Sequence, residues 1–170
     1  MILETERLIL IPLSLDQLKK AIENREGVAL ELGLNPKVND LDKNMIRIYN
    51  IKIQNIERDP DNILFYTYWD IVLKSEKRLI GQIGFKGIPN GLGQIEIGYG
   101  IEEDYRNKGY TTEAVIKIME WVFSQDIIPV KYVTACTDKE NIASQKVLLK
   151  AGMRITNEDD KYFYYMSGKV

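Results

Sequence analysis

Residues 94–114, QIEIGYGIEEDYRNKGYTTEA, hold the side chains with the most chemical content. Arg106, Asn107, Lys108 and Gly109 form a short basic turn that leads into an apolar-periodic segment opening with Tyr110, Thr111 and Thr112. The first turn of a helix has unpaired N–H groups and a partial positive charge. With Arg106, Lys108 and a flexible Gly109 beside it, such a corner suits a diphosphate. Gly98 and Gly100 lie just upstream and allow a ligand's amide chain to approach the backbone closely. An extended, amide-bearing ligand can pair with a strand edge as an added strand does. A diphosphate joined to two amides describes coenzyme A better than a simple nucleotide. A basic, glycine-containing turn between strand and helix is nevertheless common in α/β proteins. Neither the dinucleotide fingerprint nor the phosphate-loop pattern is present.

The chain has no histidine and one cysteine, Cys136. Ser-His and Cys-His nucleophiles are therefore excluded, as are the usual zinc and iron ligand sets, so no metal is expected. Any general base must be a carboxylate, a tyrosine, a lysine, the thiol or a relayed water. A single cysteine excludes an internal disulfide and fits a reducing compartment. Cys136 is expected to be a small buried hydrophobe rather than a nucleophile, since no activating cation is evident.

These residues need elements to position them. Leu8 to Leu13 is expected to be the first strand. Ser14 with Gln17 opens a helix through a capping box. A loop follows from Gly33 to Asp40, then a helix from Leu41 to Arg58 with Met45, Ile48, Ile51 or Lys52, and Ile56 on one face. The aromatic run in Ile63 to Leu73 predicts a strand. Arg78 to Phe85 and Gly93 to Ile101 complete an antiparallel meander. Thr111 to Phe123 predicts an amphipathic helix. Lys131 to Cys136 predicts a strand, Asn141 to Lys150 a helix ended by Gly152, and the run from Tyr162 a last strand, with one more short strand near Met153. The expected fold is α/β (α+β), a single domain over residues 1–170, with a mixed, mostly antiparallel sheet of about six or seven strands and about four helices.

Bulk properties narrow the partners. A chain of 170 residues with 45% hydrophobic and 28% charged residues is ordinary for one globular domain. Its formal net charge of −2 gives no sign of general nucleic-acid binding. The start, MILETERL, is broken by Glu4 and Glu6 and resembles neither a signal nor a transit peptide. No apolar run approaches the ~20 residues that span a bilayer, so a cytoplasmic location without membrane attachment is expected.

A second segment, Asp138 to Met153, joins the first in a family pattern. Together they resemble the GNAT (general N-acetyltransferase) superfamily, most closely its ribosomal-protein N-acetyltransferase-like branch. That family's motif Gln/Arg-x-x-Gly-x-Gly/Ala is matched by Arg106, Gly109 and, imperfectly, Thr111. Tyr105 and Tyr110-Thr-Thr-Glu-Ala are typical of the branch. Asn141, Ser144, Val147, Leu148, Lys150, Gly152 and Met153 match its second hallmark, and Thr5-Glu-Arg7-Leu8 resembles its opening Thr-x-Arg-Leu. The resemblance spans nearly the whole chain.

It implies a sheet splayed at the cofactor site and direct acetyl transfer from acetyl-CoA, as co-substrate, to a primary amine. The acceptor is a protein N-terminus, polyamine, amino acid or amine antibiotic, and a homodimer is compatible with the resemblance. Tyr99, Gly100, Ile101, Arg106, Asn107, Lys108, Gly109, Tyr110, Thr111, Thr112, Asn141 and Ser144 are the implied cofactor-binding residues. A backbone N–H within Tyr99 to Ile101 is to meet the developing oxyanion. Glu96 and Asn141 are the catalytic candidates: Glu96 as base through water, Asn141 on the pantetheine arm. The alternatives are a solvent-facing glutamate and a helix cap. Thr111, where Gly or Ala is usual, is expected to hydrogen-bond the diphosphate. Leu148 replaces the tyrosine acid of some relatives, with Tyr99, Tyr164 or Tyr165 as substitutes. That replacement keeps a second reading open, an acyl-CoA sensor without turnover.

Overall fold

The computed structural model describes residues 1–126 and 128–168. Its sheet has eight strands in the order β1-β2-β3-β4-β5-β6-β8-β7. These are β1 (Leu3–Glu4), β2 (Leu8–Pro12), β3 (Tyr68–Leu73), β4 (Arg78–Phe85), β5 (Gln94–Ile101), β6 (Tyr132–Asp138), β7 (Arg154–Glu158) and β8 (Tyr162–Gly168). Six α-helices accompany them: α1 (Leu15–Glu23), α2 (Arg25–Glu31), α3 (Lys43–Arg58), α4 (Ile63–Tyr66), α5 (Tyr110–Phe123) and α6 (Ile142–Lys150). Neighbouring strands are antiparallel except β5 and β6, which run parallel and are joined through α5.

The main departures from the expected order are small and have physical causes. Residues 63–66 are helical instead of extended. Pro60 sets a 3-10 turn that α4 continues, and the Lys52 ammonium takes the Tyr66 carbonyl at 2.8 Å. Phe65 is buried from that helix, so its aromatic character marks core packing without marking a strand. Helix α2 escapes the periodicity because it has seven residues with Gly27 inside, and it starts from an Asn24 side-chain cap. The two-residue β1 is too short to carry an alternation.

The sheet separates two cores. Strand alternation sends Trp69 and Ile71 to one face, with Ile95, Ile97, Ala114, Ile118 and Trp121 of β5 and α5. Tyr68 faces the other core, with Leu18, Val28, Tyr49, Ile53 and Ile56 of the first three helices. On that second face lies a buried polar network. Arg25 donates to the Tyr49 hydroxyl at 2.7 Å, and Gln82 donates to Tyr49 and, at 2.7 Å, to Asp70. Asp70 is 2% exposed and lies 3.8 Å from the Arg25 guanidinium. Burial pushes the Asp70 carboxyl up, while Arg25 and Gln82 draw it back. The network ties α2 and α3 to the middle of the sheet.

Removing one charge from that network strands the other. Asp70→Ala is expected to cost about 3–5 kcal/mol by leaving Arg25 buried without a counter-ion, and Asp70→Asn less. Urea unfolding of both variants checks this. Equal and small losses would show that the pair does not hold the helices.

Candidate functional site

The two middle strands part company. β5 and β6 pair only at Gln94↔Tyr132, Ile95↔Val133 and Glu96↔Thr134. Beyond that point β5 stays on β4 as far as Gly81↔Ile101, while β6 stays on β8 as far as Asp138↔Tyr162. The Lys86 amide donates to the Glu96 carbonyl, and the Glu102 amide to that of Ile80. By alternation, Gly98 and Gly100 also direct their peptide groups to β4. The N–H groups of Tyr99 and Ile101, beyond the last pair Glu96↔Thr134, therefore point into the opening, where no strand meets them. Of the three residues expected to supply an oxyanion donor, Tyr99 and Ile101 have suitable amides and Gly100 does not.

Beside this opening α5 begins. Its N-cap is Gly109 at φ 83°, and no side chain caps the first turn. Helices α1, α2, α3 and α6 are capped by Ser14, Asn24, Asp42 and Asn141 respectively. Helix α5 differs in keeping its first N–H groups available. Asn107 is also left-handed, at φ 61°, and helps turn the basic loop into the helix. A side chain at Gly109 would carry backbone strain at that φ.

The cleft along the opening measures ≈ 530 Å³, within the range of small-molecule sites. Its lining includes Tyr99, Gly100, Ile101, Arg106, Asn107, Gly109, Tyr110, Thr111, Thr112, Asn141 and Ser144, so these sequence-selected residues share one cavity. Tyr105, Ala143, Lys146, Val147 and Lys150 complete the wall. Lys108 is absent from it: its ammonium lies 5.3 Å from the centre of the Tyr105 ring. Thr111 is 8% exposed. Asn141 accepts from the Ser144 amide at 3.0 Å, so its side-chain carbonyl already serves as a helix cap. Among the described residues its amide group meets no acceptor and can donate.

Glu96 lies apart from that cleft, at the last paired position before the strands diverge, and its carboxylate is paired with the Lys86 ammonium. Cys136 is exposed, contrary to the expectation of burial. It occupies an outward position between buried Ala135 and Thr137. Partial burial and the nearby Glu96 carboxylate push its thiol up, away from the nucleophilic thiolate. Of the substitute acids, Tyr99 places its hydroxyl 2.9 Å from the Ser144 Oγ, across the opening, and burial pushes it up to about 12. Tyr164 is bonded to Asp159 at 2.7 Å, and Tyr165 has a buried hydroxyl without a partner among the described residues. Leu148 is a core residue, 1% exposed.

Sequence reasoning missed the clamp that sets the basic turn. Glu113, in the first turn of α5, accepts from the Thr5 hydroxyl at 2.5 Å, the Arg7 amide at 3.0 Å and the Arg7 Nε at 2.7 Å. Arg7 also donates to the Lys108 carbonyl at 3.0 Å and lies 4.5 Å over the Tyr110 ring. The Thr-x-Arg and Glu-Ala fragments carried the signal, as halves of one contact more than a hundred residues apart in sequence.

On the opposite side of β5 lies a second cleft, of ≈ 400 Å³, between α3 and the sheet. Arg47, Ile48, Ile51, Lys52 and Asn55 form its helical wall, and Tyr66, Tyr68, Gly84, Phe85, Lys86, Gly87 and Gly98 the rest. Of the aromatic run in residues 63–73, Tyr66 and Tyr68 face this cleft. Phe65 and Trp69 pack with Trp121 at centroid distances of 5.6 and 5.0 Å. Lys52, instead of Ile51, is the buried member of the α3 face. Among the described residues no group of acidic, cysteine or histidine side chains is arranged to hold a metal, and no helix is long and apolar enough to cross a membrane.

Comparison with known proteins places this geometry. The family model described as Acetyltransferase (GNAT) domain matches residues 7–154. The uncharacterized N-acetyltransferase YjdG of Bacillus subtilis is 34% identical over 98 residues, which are 58% of this chain and 57% of that protein. YnaD of the same organism, also an uncharacterized N-acetyltransferase, is 37% identical over 84 residues, 49% of this chain and 48% of that protein. The matched region thus spans about half the length of these relatives. Among solved structures, the ribosomal-protein-S5-alanine acetyltransferase from Vibrio fischeri superposes with a TM-score of 0.71 at 16% identity, covering 99% of this chain and 96% of that one. A GNAT-family acetyltransferase from Bacillus anthracis gives 0.67 at 21% identity, with 99% and 98% covered. These likenesses establish the shared fold.

The clamp on the basic turn has a pH signature. Burial works to raise the Glu113 carboxyl, but the bonds from Thr5 and Arg7 outweigh it and hold the group below the usual carboxylate range. A lowered carboxyl stabilises the fold above its unfolded value near ~4.3, and that stability is lost as pH falls through the lower folded value. Glu113→Gln is expected to cost about 1–2 kcal/mol at neutral pH. The gap should narrow and close as pH falls below the unfolded value and through the lower folded one. Urea midpoints measured across pH check it, and a gap constant with pH would contradict it.

Proposed function

Because this chain belongs to the GNAT acetyltransferase family, we propose that it transfers an acetyl group from acetyl-CoA directly to a primary amine within a ternary complex. The observation that carries this reading is the parting of β5 from β6 beside an uncapped helix start. A pantetheine arm has amides for the unpaired edge of β5, and a diphosphate has the first-turn N–H groups of α5 with Arg106 beside them. Gly100 leaves open space where a side chain would project. Acetyl-CoA supplies the activated carbonyl.

The chain's residues then have separate tasks. The Tyr99 or Ile101 amide is aimed into the opening, where it can meet an oxygen that gains charge. Holding amine and thioester together supplies much of the acceleration. An amine must lose its proton before it attacks, since side-chain amines have pKa values near ~10. Glu96, on the α3 side of the strand just before the opening, is the group we assign to receive it through water. Its Lys86 partner holds the carboxylate in place. Tyr99 is the substitute we assign for the missing acid, because its hydroxyl bridges the opening to Ser144 while Tyr164 is bonded to Asp159. The expected location is the cytoplasm. The burial of Leu148 sustains the sensor as a second reading, and release of free CoA thiol with any amine excludes it.

Gly109→Asp adds bulk and a negative charge at the helix start. It is expected to weaken acetyl-CoA binding by about a hundredfold or more, read by calorimetric titration with thermal melting as the folding control. Undiminished affinity in a folded variant would remove the diphosphate from this corner. Glu96→Gln is expected to lower kcat at neutral pH by about tenfold or more while acetyl-CoA still binds. A pH–rate profile identical to the parent's would show that Glu96 is not the base.

A further inference from the structure

The cleft between α3 and the sheet has a charge character that narrows the acceptor. Three of its lining side chains are basic, Arg47, Lys52 and Lys86, and none is acidic. The carboxylates at its margin are already engaged. Glu96 pairs with Lys86, and Asp59 accepts from Tyr66 at 3.0 Å and from Asn62.

The three basic groups differ in what they can still do. Lys52 is saturated, donating to the carbonyls of Tyr66 at 2.8 Å and Phe85 at 2.9 Å, with the Tyr68 ring face 4.3 Å away. It acts as a brace whose charge lies in the cleft wall. Burial brings its pKa down to about 7. Arg47 is different. Among the described residues its guanidinium donates only to the Asn44 side chain, at 3.2 Å, and it forms no ion pair. A guanidinium with free donors at the rim of a small cleft suits a carboxylate or phosphate. The apolar wall of Ile48, Ile51 and Tyr68 suits a hydrophobic flank, and Gly98 brings the cleft to the strand that opens toward the cofactor side.

We infer that the acceptor, bound in this cleft, is a small primary amine that also carries an anionic group, a carboxylate or a phosphate, which Arg47 pairs with. This rests on the acetyltransferase reading above. With Lys86 paired to Glu96, the Arg47 guanidinium is the unpaired charge of the wall, and it disfavours an ammonium close to it. The same guanidinium disfavours a polyamine, which has no anionic group to pair with it. A volume of ≈ 400 Å³ falls in the lower part of the range of small-molecule sites.

The test measures acetyl transfer with matched pairs: L-phenylalanine against L-phenylalaninamide for the carboxylate, phosphoethanolamine against ethanolamine for the phosphate, and spermidine as a cation. At least one anionic member is expected to exceed its neutral counterpart in kcat/KM by about tenfold or more. Arg47→Gln is expected to reduce that ratio by a similar factor through KM, with Arg47→Lys recovering part of it. Arg47 is exposed, so its replacement leaves both cores unaltered. Neutral or cationic amines performing as well, or a ratio indifferent to Arg47, would overturn the inference. So would the failure of every anionic amine both to be acetylated and to bind saturably to the CoA-loaded protein. Titration of the same preparation with acetyl-CoA separates the two claims. Absent binding sinks the transferase reading, while binding with transfer to neutral amines leaves that reading standing and sinks only the anionic acceptor.

Discussion

The candidate site of this molecule depends on a shortage of strand pairing. Two parallel strands hold each other for three residues and then diverge, leaving peptide groups that water or a ligand must satisfy. A sheet tolerates such a gap only when both strands are anchored elsewhere. Here β5 is held along its other edge by β4, and β6 by β8. The antiparallel arrangements on either side act as two rigid plates, and the opening is the seam between them.

The seam alone would bind an extended chain without selecting one. On the proposed function, selection comes from the basic turn and the helix start beside it, whose position depends on contacts from the far N-terminal part of the sheet. Thr5 and Arg7 grip Glu113 and the Lys108 carbonyl, so β1 and β2 fix the orientation of a loop that lies far from them in sequence. The polar network of Arg25, Tyr49, Gln82 and Asp70 does the corresponding work on the other face, where it seats the helices that wall the second cleft.

Much of this was legible in the sequence, for identifiable reasons. The long elements β4, β5, α3, α5 and α6 announce themselves through alternation, helical periodicity and caps, and the site residues are largely local to one strand–turn–helix segment. Short elements carry too few residues to show a period, which is why β1, α2 and α4 went unseen. Aromatic side chains at 63–66 suggested a strand because β-propensity records burial as much as extension. The least legible features were pairings between distant residues. Nothing local distinguishes the buried ammonium of Lys52 from any other helical lysine, or an exposed Cys136 from a buried one. Alternation decides Cys136 only once the strand's register is known, and its buried neighbours Ala135 and Thr137 supply that register.

The brace formed by Lys52 has a bearing on how this protein can change. By gripping two main-chain carbonyls from beneath, it secures α3 without calling on the side chains at Arg47 or Ile51, which are left exposed. Those positions can vary with little cost to folding, and they sit across the sheet from the cleft beside the start of α5. The architecture thereby divides inheritance from improvisation. If the proposed acceptor cleft is right, substitutions at a few exposed positions of one helix would change which molecules it takes without disturbing the other side of the sheet.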